Sequence, residues 1–163
     1  VRVIVAIAVT LLAAALQSTF NPQIRLLGGE PDLVFLLVLT WIIRAPLEEG
    51  IALAFIGGVA LDLLSAAPLG VTSAGLLLVV FGLDVVRRQL FGVGILTVLL
   101  FAGLGTLLIK LLEWIALALV GLSPPVVATI SYIILPSMVY NVVLLAPAYF
   151  VVQLIQRAFG DEA

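Results

Sequence analysis

Apolar residues run along this chain in six stretches, each closed by a short cluster of polar or turn-forming residues. The first extends from about residue 3 to 20 and stops at Asn21-Pro22, because a proline and the residue before it disfavour continued helix. The second opens at Pro31-Asp32, a pair suited to a helix start, and covers about 31–43. Arg44-Ala45-Pro46-Leu47-Glu48-Glu49 then reads as a tight charged turn. The third stretch covers about 50–64 and breaks in Ser65-Ala66-Ala67-Pro68-Leu69-Gly70, and the fourth covers about 71–86 and stops at Arg87-Arg88-Gln89. Two longer stretches, about 91–122 and 126–156, flank Ser123-Pro124-Pro125. The pattern predicts six helices forming one all-α domain over 1–163.

Composition turns these helices into membrane spans. The 163 residues are 64% hydrophobic and only 10% charged, with a mean hydropathy of +1.40. Soluble globular chains average roughly 45–50% apolar and about 25% charged. A hydrocarbon core of about 30 Å takes about 20 apolar residues per helix, so the chain predicts a six-helix transmembrane bundle embedded in a lipid bilayer. The second and third stretches are short for this, which asks the turns between them to dip into the membrane or the membrane to thin there.

Orientation follows from Lys and Arg in the short loops. With the N-terminus inside, Arg2, Arg44, Arg87, Arg88 and Arg157 fall on the inner side and only Arg25 on the outer. Both termini are then cytoplasmic, in a multi-pass membrane protein. Arg2, the following apolar run and Ala13-Ala14-Ala15 also fit a cleaved secretory signal. Against that, Thr10, Ala14, Gln17 and Asn21 share one helix face, as expected of a packed helix.

The residue inventory excludes most chemistries. With no Cys or His, the usual structural zinc sites, Ser-His-Asp and Cys-His nucleophiles and disulfides are all ruled out. No phosphate-binding glycine loop or EF-hand loop is present, and the net charge of −2 with no basic run argues against nucleic acid. The reading is therefore of a non-enzyme with no cofactor and no metal.

The polar residues inside the spans are the remaining candidates. Gly50, Ala54, Gly58 and Asp62 recur at steps of four, giving a small-residue stripe for close helix packing that ends in a carboxylate. Asp62 is expected to cap the following turn or accept a hydrogen bond from another helix, with proton transfer as the alternative. Thr106, Lys110 and Glu113 share a face of the fifth helix near Trp114. Lys110 and Glu113 form either a buried polar site or an ion pair at the outer interface, with Trp114 in the aromatic belt. Pro136, Ser137, Asn141 and Pro147 mark either a broken transport-type helix or an ordinary kink. Asp32, Asp62 and Lys110 are expected toward the outer half, and Asp84 is expected to pair with Arg87 and Arg88.

Three segments resemble the bacterial rod shape-determining MreD family: Pro31-Asp32-Leu33-Val34, Leu61-Asp62-Leu63-Leu64-Ser65-Ala66-Ala67-Pro68-Leu69-Gly70, and Leu135-Pro136-Ser137 through Asn141 to Ala146-Pro147. The tail from Gly160 is less basic than the family pattern. The resemblance implies a non-enzymatic scaffold of the cell-wall elongation machinery. Such a scaffold would bind the single-span protein MreC and work near the RodA and PBP2 peptidoglycan synthases and MreB. It also implies a fold similar to the S component of energy-coupling-factor vitamin transporters, and hence an alternative function as a small-molecule-binding subunit. The two longest helices exceed the hydrocarbon thickness, so residues 115–122 and 126–134 are expected to rise above the outer leaflet as an apolar pair. Leu117, Leu119 and Val127 would then meet the partner, with Gly50, Ala54 and Gly58 as the next docking stripe.

Overall fold

The structure, a computed structural model, describes residues 2–23, 28–66, 68–89, 94–122 and 124–159. It is helical, with α1 Arg2–Phe20, α2 Leu33–Ile42, α3 Leu47–Leu64, α4 Val71–Gln89 and α5 Ile95–Leu119, followed by α6, Val126–Phe159. Within α6 the residues Ile130–Ile134 form a π turn, one residue per turn wider than the α-helix around it. Among the described residues, three helices, α1, α5 and α6, are long and apolar enough to cross a membrane.

The centre of the bundle is α2. Nine of its ten residues are buried, from Val34 to Ile42, and it touches α1, α3, α4, α5 and α6. A helix that is apolar on every face has to be enclosed by others, which this arrangement achieves. At 1.5 Å per residue α2 is about 15 Å long, half of a hydrocarbon core. Around it, α1 packs on α3, α3 on α4, α4 on α5 and α5 on α6.

Several boundaries differ from the sequence expectation, for local reasons. The third helix begins at Leu47, directly after Pro46, and carries Glu48 and Glu49 in its first turn. Proline at a helix entry and carboxylates near the positive end of the helix dipole both favour a start there, so the charged turn is shorter than it reads in sequence. The same dipole accommodates Arg87 and Arg88 in the last turn of α4, which continues to Gln89. Helix α5 is 25 residues, ending at Leu119. The expected start near Phe91 lies outside the described residues, as do Arg25, Ala67, Ser123 and the tail from Gly160.

The small-residue stripe is an internal contact. A Cβ on Gly58 would lie 2.4 Å from the Ser73 Cα, and one on Gly50 would meet Ile42 and Val80 at 2.8 and 3.3 Å. Ala54 is fully buried. The stripe brings α3 against α4 and is not open to a partner, which corrects its reading as a reserve docking surface.

The arginines among the described residues gather at one end of the bundle. Arg2 pairs with Glu49, whose other oxygen accepts from the Trp41 indole at 2.9 Å. Arg87 donates to the carbonyls of Ile42 and Ala45, both at 2.8 Å. Asp84 accepts from Arg87 and Arg88 at 3.0 and 2.8 Å. These contacts close the C-terminal end of α2, where its last carbonyls lack helical partners.

Candidate functional site: a polar cluster and cavity at the opposite end

Asp32 lies at the entry of α2, buried at 6% exposure, and its carboxylate does not cap its own helix. It is instead the centre of a network drawn from three other helices. Its backbone N–H donates to Asn141 Oδ1 at 2.9 Å, and its carboxylate oxygens accept from Asn141 Nδ2 at 3.1 Å and Gln17 Nε2 at 3.2 Å. Gln17 also does the capping that Asp32 does not, since its Oε1 accepts from the Val34 N–H at 3.1 Å. Asn141 Nδ2 reaches Thr106 Oγ1 at 2.9 Å, and Ser137 Oγ accepts from the Glu30 N–H at 3.0 Å. Thus α1, α5 and α6 each supply polar side chains to the same helix start.

Lys110 enters this network from α5. Its Nζ donates to Glu113 Oε2 at 3.1 Å and lies 3.6 Å from Asp32 Oδ1. The Lys110 side chain is only 10% exposed and that of Glu113 25%, so the pair faces inward. Lys110 is thus a buried polar side chain in contact with two carboxylates, as the first of the two sequence readings expects. Trp114 is engaged separately, donating to the Pro124 carbonyl at 3.0 Å across the α5–α6 connection.

These residues border a cavity of about 640 Å³ whose wall includes Gln17, Glu30, Asp32, Lys110, Glu113 and Leu117. Leu117 is half-buried and lines this cavity. Leu119 and Val127, the other two proposed docking residues, are 84% and 78% exposed. A second groove, of about 300 Å³ between α1, α2 and α6, is lined by Leu12, Leu36, Val151 and similar apolar side chains. It offers nothing to a polar ligand.

Asp62 sits beside the cavity, in the last turn of α3. Its carboxylate accepts from the Gly70 N–H at 2.8 Å, the Thr72 N–H at 3.1 Å and the Ser73 hydroxyl at 3.4 Å. It satisfies the free amides at the start of α4, as a capping side chain does. Gly70 has φ +94, a conformation open to glycine at little cost, which accounts for its place in the Pro68-Leu69-Gly70 turn.

Sequence reading paired Lys110 with Glu113 and singled out Asn141, and did not join them to Gln17, Asp32 and Glu30. Their common signal was cost: each puts hydrogen-bonding groups where lipid-depth packing leaves no water, so each needs a partner at the same level. Among the described residues, no group of three or more acidic side chains is arranged to hold a metal ion.

The fold and site together define an all-helical membrane protein with a polar cavity at one end and a cluster of arginines at the other. The family model for rod shape-determining protein MreD matches residues 1–159. The chain belongs to that family, and its role lies in rod-shape determination. Neither the comparison with curated proteins nor that with solved structures returns a match, so the likeness to transporter S components rests on the sequence resemblance alone.

Proposed function

We propose that the chain is a non-enzymatic scaffold of the bacterial cell-wall elongation complex, a single inner-membrane domain that crosses the bilayer six times and binds MreC at its cavity end. Both termini face the cytoplasm in this reading, because the arginine end takes the inner side under the positive-inside rule. The cavity then opens outward. Helix α2 completes its crossing with help from the flanking segments, since ten residues of helix are too short alone.

The observation that carries the docking site is the pairing of a walled cavity with exposed apolar side chains nearby. Leu119 and Val127 flank the α5–α6 connection, and both expose most of their surface. Leu117 lines the cavity on the same helix as Leu119. An inserted partner segment would cover the two exposed residues and contact the third. The family resemblance supports RodA, PBP2 and MreB as further members of the same assembly.

Co-purification with tagged MreC from native membranes tests this. The variant Leu117→Glu, Leu119→Glu, Val127→Glu is expected to lose MreC while remaining inserted in the membrane. Retention of MreC at the wild-type level overturns the site. The cavity volume lies within the range of small-ligand pockets, roughly 300–1,000 Å³, which favours the S-component reading as the second. Mass spectrometry of the same purification separates them, since a stoichiometric vitamin-like molecule in place of MreC supports the second reading.

A further inference from the structure

The arginine end carries a constellation that partner binding does not use. Arg44, in the turn after α2, lays its guanidinium 5.6 Å from the centroid of the Tyr149 ring and donates to the Tyr149 hydroxyl at 2.8 Å. With its amide turned so that the oxygen faces these donors, Gln153 also accepts from Arg44 Nη1 at 3.0 Å. The same oxygen accepts from Arg157 Nη2 at 3.1 Å. Two guanidiniums therefore converge on one neutral atom.

Like charges held this close repel unless an anion lies between them. The other arginines at this end have one: Arg2 pairs with Glu49, and Arg87 and Arg88 with Asp84. Among the described residues, no carboxylate pairs with Arg44 or Arg157. Both side chains are exposed, while Tyr149 and Gln153 beneath them are half-buried. Among the described residues, the two positive charges are thus held in position on the exposed face of the bundle.

The surface below them is apolar. Val143, Phe150 and Arg157 recur at seven-residue steps, so they line one stripe of α6. Val143 and Phe150 are 66% and 60% exposed. A paired cationic head at the helix end, continued toward the membrane centre by an exposed apolar stripe, matches the layout of a phospholipid. Guanidiniums suit phosphate because their planar forks can meet two of its oxygens.

We propose that Arg44 and Arg157 bind the phosphate of an anionic phospholipid at the arginine end, with Tyr149 and Gln153 holding the two guanidiniums in place and the acyl chain lying along Val143 and Phe150. Only the leaflet assignment rests on the orientation proposed above; the site itself does not.

The test is native mass spectrometry of the full chain released from nanodiscs of equimolar phosphatidylglycerol and phosphatidylcholine. The wild type is expected to retain phosphatidylglycerol about tenfold over phosphatidylcholine, given the attraction of each basic side chain to anionic lipid. The variant Arg44→Gln, Arg157→Gln is expected to bring the two lipids to parity, while Arg88→Gln keeps the wild-type preference. Equal retention of both lipids by the wild type, or an unchanged preference in the double variant, overturns the proposal. A parallel arm adds inorganic phosphate: loss of the retained lipid would assign the site to free phosphate and overturn the lipid reading. Should the double variant not fold, Tyr149→Phe with Arg157→Gln is expected to lower the preference, and an unchanged ratio there counts against the site equally.

Discussion

Asp32 shows how one buried side chain organises this end of the molecule. Its amide and both carboxylate oxygens are satisfied by groups from other helices, so each partner is tied to the start of α2. Asn141 is fully buried and serves Asp32 twice and Thr106 once. Asn141→Leu leaves these groups unsatisfied and is expected to cost about 1–3 kcal/mol, read as a lower thermal midpoint in detergent. An unchanged midpoint would mean the network contributes nothing net. Lys110 offers a sharper comparison, because removing one partner of a buried ion pair leaves charge uncompensated. Lys110→Met is expected to destabilise more than the double variant Lys110→Met, Asp32→Asn. If the two losses simply add, Lys110 and Asp32 are not coupled.

At the scale of elements, the close approach of α3 and α4 depends on Gly58 and on the bend that Asp62 closes. A side chain at position 58 meets the Ser73 backbone, whereas one at Gly94 meets nothing within 4 Å. Gly58→Val is expected to lower the yield of monodisperse protein in fluorescence-detected size exclusion, with Gly94→Ala indistinguishable from wild type. Equal yields would show that α3 and α4 can separate freely. Asp62→Ala removes the acceptor for the first amides of α4 and is expected to cost about 0.5–2 kcal/mol, again measured by thermal unfolding. Helix limits were legible wherever proline or glycine punctuated the chain, as at Asn21-Pro22 and Pro68-Leu69-Gly70. They were misjudged where charge sat inside a helical turn, as at Glu48-Glu49 and Arg87-Arg88, because charges read as loop can equally well serve a helix end.

For the whole molecule, the two ends differ in kind, one carrying clustered arginines and the other an open cavity. The chain contains no cysteine, so single introduced thiols report topology without background. A membrane-impermeant maleimide is expected to label Leu119→Cys in intact cells and to leave Arg88→Cys unlabelled until the membrane is opened. The reverse pattern would invert the proposed orientation and place the cavity on the cytoplasmic side. Both positions are exposed, Leu119 at 84% and the Arg88 side chain at 70%, so accessibility does not confuse the result.

Membrane residence, helical class and the approximate helix positions were all present in the sequence, because they follow from apolar content, run length and turn chemistry acting locally. The family was legible in the same way, through the short Asp62–Gly70 turn and the segments around Asp32 and Asn141. What sequence could not supply was which helix lies in the centre and which polar groups meet. Gln17, Asp32, Lys110 and Asn141 are far apart along the chain, and each carries the same local message of a polar group needing a partner. Only the packing of α1, α5 and α6 around the short α2 brings those needs to one place. The same packing turned Lys110 and Leu117 toward the cavity and closed Gly50, Ala54 and Gly58 inside the fold, since the side of a helix that is covered depends on its neighbours and not on its own sequence.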